Sequence, residues 1–135
     1  MDGSRLADKP GLEPKIPTVL VVEDEVFVRL LIADELRSSG LSVIEAVNAD
    51  EALTVLQSSA PVDLLFTDIR MPGSIDGLAL AALVRTMHPE LKIIIASGDS
   101  PVWPSRDIAD AFFRKPYDTV RVVSQIKELL LSIGK

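Results

Sequence analysis

Five apolar runs alternate with amphipathic stretches along this chain. The runs lie near residues 18–23, 41–46, 62–67, 92–97 and 110–114. They are rich in Val, Ile and Leu without polar alternation, the pattern of strands covered on both faces. Helical spacing fills the gaps. The stretch 26–39 places Phe27, Leu30, Leu31, Ala33 and Leu36 at apolar positions, with Gly40 as a C′ stop. A second helix is predicted from Asn48, where Glu51 three residues on approaches a capping box. A third runs over 77–87. The last runs over 119–133, with Asp118 as N-cap and Val120, Val123, Ile126, Leu130 and Ile133 as its apolar stripe. Between 98 and 110, Pro101 and Pro104 permit only a short or irregular helix, since proline removes a donor and clashes inside a turn. The expected architecture is α/β: five β/α units with right-handed crossovers around an open, doubly wound parallel sheet. Residues 1–16 are polar, carry Pro10, Gly11 and Pro14, and read as a flexible tail ahead of a domain over 17–135. No internal repeat is present, and no output domain is read after the last helix.

Composition narrows the function classes. With 135 residues the chain fits one domain, and 47% hydrophobic content supports a packed core. A net charge of -6 argues against a nucleic-acid surface, which needs clustered Lys and Arg. With no cysteine, disulfides, thiolate catalysis and cysteine-bound zinc are excluded. No apolar stretch approaches a membrane span, and no signal peptide is read at the N-terminus, so a cytoplasmic location is expected.

The chemistry concentrates where the apolar runs end. Glu23-Asp24-Glu25 closes the first run, Asp68 the third, Ser97 the fourth, and Lys115 follows the fifth. In an open α/β sheet these strand ends share one crevice, where ligands bind. Two carboxylates about 4 Å apart repel by about 4 kcal/mol at an effective dielectric of about 20, so a converging set recruits a cation. Mg2+ suits it, being hard and bound by one or two carboxylates with water and phosphate oxygens. Beside the metal, Asp68 can act as a nucleophile toward phosphorus, because aspartate forms acyl-phosphates. Mg2+ and Lys115 would neutralise the charge spread over the phosphoryl oxygens, and Ser97 could donate to one of them. Each residue alone has a plainer reading: Asp24 as a helix cap, Lys115 as a surface charge, Ser97 before Gly98 as a turn. The joint placement at four strand ends favours the functional reading. His88, the sole histidine, reads as a solvated helix end, which excludes a Ser-His-Asp triad built on the cluster. Trp103, in the proline-broken segment, reads as a core residue or a partner contact, with core favoured.

The segments Val21-Val22-Glu23-Asp24-Glu25, Thr67-Asp68-Ile69-Arg70-Met71-Pro72, Ala96-Ser97-Gly98 and Arg114-Lys115-Pro116 carry a resemblance. Over residues 17–135 the chain is similar to the receiver domains of bacterial two-component response regulators. The resemblance implies a flavodoxin-like sheet of order 2-1-3-4-5. It implies that Asp68 accepts a phosphoryl group from a sensor histidine kinase or a histidine phosphotransfer protein. Asp24 and Asp68 would bind Mg2+ directly, Glu23 through water, and the Arg70 backbone carbonyl would be a further ligand. Ser97 would be the switch hydroxyl, Lys115 the phosphoryl partner and Phe112 the aromatic switch residue. The implied protein is a stand-alone switch, a phosphoacceptor that catalyses its own phosphorylation and dephosphorylation. Its readout would be an unidentified downstream protein, with no nucleic acid and no membrane, and with a homodimer left open. Four departures stand out. Glu23 replaces a commoner Asp, and Phe112 a frequent Tyr. The loop 72–77 is one residue longer than usual, and the segment 97–115 is several residues shorter than usual. An Arg70–Asp99 contact is expected to shield the phosphoryl group from water. Two other classes stand as alternatives. An Asp-nucleophile phosphatase needs a general acid where Arg70 stands, and a phosphorylation-independent adaptor would not need the full set of acids, hydroxyl and lysine.

Overall fold

The computed structural model of the chain describes residues 15–98 and 105–133. The elements follow one another as β1 (Thr18–Val22), α1 (Val26–Ser38), β2 (Ser42–Ala46), α2 (Ala49–Gln57), β3 (Leu64–Asp68), α3 (Gly77–Met87), β4 (Lys92–Ser97), β5 (Ala111–Arg114) and α4 (Thr119–Ile133). All strands are parallel, in the order β2-β1-β3-β4-β5. The expected α/β class and strand order are therefore observed. The order reverses between β1 and β3, which opens the ligand crevice of this topology at their C-terminal ends.

Strand alternation divides the core into two layers. Leu20, Val22, Leu65, Ile93 and Ile95 pack against Ala49, Ala52 and Leu56 of α2 and Leu80, Ala81 and Val84 of α3. Their neighbours Val19, Val21, Leu64, Phe66, Ile94 and Ala96 pack against Ile32 and Leu36 of α1 and Val122, Val123 and Ile126 of α4. β1 and β3 are buried along their whole length and β4 nearly so, whereas the edge strands β2 and β5 are half exposed. Edge position, not composition, explains why two of the five apolar runs are not covered on both faces.

Helix ends match the local signals. Gly40 has φ 89° at C′, and the Leu41 and Gly40 amides donate to the Leu36 and Arg37 carbonyls, a Schellman closure. Asn48 accepts from the Glu51 amide at 2.9 Å, while Glu51 reaches back to the Val47 amide at 3.0 Å. Asp118 accepts from the Val120 amide at 2.9 Å. Other expectations need correction. β3 begins at Leu64, not residue 62. Asp63 ahead of it spends its carboxylate on the Thr18 amide at 2.8 Å. The apolar residues of α1 do not form one buried face: Ile32, Ala33 and Leu36 are buried, while Phe27, Leu30 and Leu31 are exposed. On α4 the buried stripe is Val122, Val123 and Ile126, and Val120 faces solvent. Val123 and Ile126 of the expected stripe are buried, Leu130 packs against the same cluster, and Val122 takes the inward place expected of Val120. Residues 105–110 form a turn, with the Ile108 and Ala109 amides on the Ser105 carbonyl, and no helix occurs among the described residues between β4 and β5. The tail up to residue 14, together with Asp99, Pro101, Trp103 and Pro104, lies outside the described residues, as does the side chain of Ile133. Among the described residues no helix is long and apolar enough to cross a membrane.

Candidate functional site

The parallel register aligns the strand ends: Val22 pairs with Thr67, Asp68 with Ala96, and Ser97 with Arg114. Glu23 just past β1, Asp68 and Ser97 closing β3 and β4, and Lys115 just past β5 therefore share one end of the sheet. Glu23, Asp24 and Asp68 each bring a carboxylate oxygen within 4.8 Å of the others. Glu23 and Asp68 are buried, and Asp24 is the most open of the three. Asp24 is not a helix cap, because Glu25 holds the N-cap position of α1 and no side chain caps that end.

Lys115 reaches across from beyond β5. Its Nζ donates to Glu23 Oε1 at 2.6 Å and to Asp68 Oδ2 at 3.1 Å, with Glu25 Oε2 at 4.0 Å. The second oxygens are also held: the Glu25 amide donates to Glu23 Oε2 at 3.1 Å and the Ile69 amide to Asp68 Oδ1 at 2.8 Å. Burial raises the pKa of both Glu23 and Asp68 despite these bonds, and the neighbouring carboxylates add to the rise. Burial also works against the Lys115 ammonium, but its bonds to Glu23 and Asp68 outweigh that and hold its pKa above the lysine range. One ammonium thus stands among several carboxylates and does not fully offset them.

Ser97 is buried at the end of β4, and its hydroxyl has no hydrogen-bond partner among the described residues. Its carbonyl accepts from the Lys115 amide at 2.9 Å, which ties the two residues together through the backbone. An open cleft of about 410 Å3 above the cluster is lined by Asp24, Glu25, Asp68, Arg70, Gly98 and Lys115. The donor set fits a divalent, oxygen-preferring cation: three carboxylates converge on a cleft that one ammonium leaves acidic. Phe112 stands apart from the cluster, half buried on β5 with the Arg114 guanidinium 5.9 Å from its ring centre.

Three neighbours of the site were not singled out from sequence. Gly77, opening α3, donates its amide to the Ile69 carbonyl at 2.8 Å. A Cβ there would lie 1.6 Å from the Asp68 carbonyl oxygen, so only glycine allows α3 to start so close to the strand end. Its position one residue after the Asp76 cap was the available signal. Tyr117 packs edge-on against Phe66 with ring centres 5.7 Å apart. Its hydroxyl is buried without a partner among the described residues, and burial, with the Glu23 charge, pushes its pKa up to about 12. Arg29 donates to the Glu23 carbonyl at 2.9 Å. A basic residue one position from α1's apolar face was the only trace of that contact.

Comparison with known proteins places this geometry. The sequence is 36% identical over 118 residues to the sensor kinase CckA of Brucella abortus, covering 84% of this chain and 12% of that protein. It is 34% identical over 116 residues to the DNA-binding transcriptional regulator NtrC of Salmonella typhimurium, covering 83% of this chain and 24% of that one. The chain thus spans a quarter or less of these relatives. Among solved structures, the receiver domain of NtrX from Brucella abortus is 36% identical at a TM-score of 0.75, over 83% of this chain and 97% of that one. The response regulator TrrA of Thermotoga maritima, crystallised with Mg2+ and BeF, is 33% identical at a TM-score of 0.76, over 84% of this chain and 99% of that one. The sequence model of the response regulator receiver domain matches residues 19–127, from β1 into α4 and across every strand end of the cleft, and the chain belongs to that family.

Proposed function

We propose that Asp68 is the phosphoacceptor of a Mg2+-dependent switch in two-component signalling. The observation that carries this reading is the Lys115 ammonium held between the Glu23 and Asp68 carboxylates, beside the more open Asp24 and a buried Ser97 hydroxyl that has no partner among the described residues. The donor is a phosphohistidine on a sensor kinase or a phosphotransfer protein. An Asp68 carboxylate oxygen forms the new O–P bond as the P–N bond to the imidazole breaks, and the imidazole leaves with the electron pair. Lys115 already donates to Asp68, so a small shift of the ammonium would let it meet phosphoryl oxygens. The Ser97 hydroxyl, free of competing bonds, would donate to another. Glu23, Asp24, Asp68 and the Arg70 carbonyl would hold Mg2+, which when bound neutralises charge on the transferring group. Hydrolysis of the acyl-phosphate returns the carboxylate, and Phe112 on β5 would report the state to partners.

A docking place adjoins the cleft. Phe27 is 83% and Leu31 66% exposed on α1. Leu31 also lines a groove with Glu25, Val28, Lys115, Pro116, Tyr117 and Thr119. Lys115 belongs to both groove and cleft, so a protein seated there would present its phosphohistidine to Asp68.

Intact mass after incubation with acetyl phosphate tests the reading. The expected result is a gain of one phosphoryl group in wild type, dependent on Mg2+ and absent in Asp68→Asn. Equal gain in Asp68→Asn would place the acceptor elsewhere.

A further inference from the structure

β2 contributes no side chain to the cleft lining, yet it grips the acidic pair from behind. The Glu23 amide donates to the Ala46 carbonyl at the end of β2, at 3.0 Å. The Glu23 carbonyl accepts from Arg29 Nη1 at 2.9 Å. Arg29 is in turn aimed by β2: its Nε meets Glu45 Oε1 at 3.0 Å, with the Arg29 side chain only 13% exposed. The other Glu45 oxygen is held by Arg37 Nη1 at 3.1 Å. Both backbone groups of Glu23 are therefore fixed by the same strand end, one directly and one through a guanidinium that needs both of its bonds.

The carbonyl that Arg29 holds belongs to the planar peptide unit joining Glu23 to Asp24. The orientation of that unit sets where both carboxylates point. We infer that Arg29, oriented by Glu45, is a positioning residue for cation binding: it locks the Glu23–Asp24 peptide so that the acidic pair is presented ready-made. Partners behind a metal ligand commonly shift affinity about 10- to 100-fold. Charge alone makes the opposite claim. A guanidinium beside a cation site repels the cation, so its removal should tighten binding. The sign of the effect separates positioning from electrostatics.

The proposal rests on the reading of the cleft as a Mg2+ site. Its test is Mg2+ affinity by isothermal titration calorimetry on wild type, Arg29→Met and Arg29→Lys, each shown by circular dichroism to be folded at the working temperature. Arg29→Met is expected to bind about tenfold more weakly. Arg29→Lys keeps the charge but cannot hold two acceptors in one fork, and is expected to bind several-fold more weakly. The loss in Arg29→Met should shrink when Glu45→Ala is already present, because the two act as one brace. Labelling of Arg29→Met by acetyl phosphate should recover as Mg2+ is raised, which general loosening of the fold would not produce. Unchanged or tighter binding in both Arg29 variants, with wild type binding normally, overturns the brace and leaves the site reading intact. Absence of Mg2+ binding by wild type overturns both.

Discussion

Carboxylates stand at both ends of this sheet and serve opposite purposes. At the N-terminal ends, Asp63 accepts from the Thr18 amide at 2.8 Å and Asp110 from the Ile93 amide at 2.9 Å. Asp110 also pairs with Arg85 at 2.8 Å. Arg85 goes on to the Pro89, Leu91 and Ile108 carbonyls, so it staples α3 to the segments flanking β4 and β5. These two acids work apart, each stitching one strand to its neighbour. At the C-terminal ends, Glu23, Asp24 and Asp68 crowd together, Glu23 and Asp68 share one ammonium, and beside them lies a buried hydroxyl with no partner among the described residues. A strand-end aspartate is thus uninformative by itself. Convergence with incomplete compensation marks the functional end, because the molecule retains an electrostatic cost there that a ligand can relieve.

The largest effect should come from the residue that lets the two carbonyl-rich turns meet. Gly77→Ala sets a Cβ against the Asp68 carbonyl and is expected to destabilise by about 3 kcal/mol, read as a fall in melting temperature. It should also slow labelling by acetyl phosphate, since Asp68 must move. Next comes the structural end. Asp110→Ala leaves the Ile93 amide and Arg85 without their shared acceptor and should cost about 2 kcal/mol. Its labelling at Asp68 should match wild type when assayed below its melting transition. If Asp110→Ala abolished labelling instead, the division between the two ends would fail.

Smaller effects sharpen the functional end. Ser97→Ala removes a buried hydroxyl that has no partner among the described residues, so it should not destabilise and should add about 1 kcal/mol of stability. The same variant should alter the lifetime of the phosphorylated form, measured by loss of the added mass over time. Tyr117 gives the mildest signal. Its folded pKa of about 12 exceeds the ordinary 10.0, so the folded chain holds the proton longer than the unfolded one. That contribution is complete below pH 10 and is lost as pH rises toward about 12. Tyr117→Phe should flatten the alkaline fall in stability. As the only tyrosine in the chain, Tyr117 can be titrated by absorbance without interference, and ionisation near the ordinary value would contradict its burial.

Much of this was legible in the residues. Three strand ends could be read because β1, β3 and β5 run from apolar residues into charge: Glu23 follows β1, Asp68 closes β3, and Arg114 and Lys115 mark the exit of β5. Caps were legible at Asn48 and Asp118 because they act within one helical turn. The inward face of α1 was not, whereas on α4 Val123, Ile126 and Leu130 pack inward as expected and Val120 was misplaced. α1 carries apolar residues around most of its circumference, so periodicity could not choose Ile32 and Leu36 over Phe27 and Leu31. Gly77 and Arg29 escaped notice for a different reason. Their roles depend on approaches to Asp68 and Glu23 that only the folded chain creates.

The most direct test of the contrast between the two ends is the melting temperature of wild type and Asp68→Asn, each with and without Mg2+. Burial raises the Asp68 pKa, so its contribution to stability is present at low pH and lost as pH rises through the folded value, above which the ionised carboxylate is a cost. Asp68→Asn should therefore melt higher than wild type without Mg2+. Added Mg2+ should raise wild type by mass action and leave Asp68→Asn nearly unmoved. A variant that melts lower than wild type, as Asp110→Ala should, would make Asp68 one more structural acid and contradict the account.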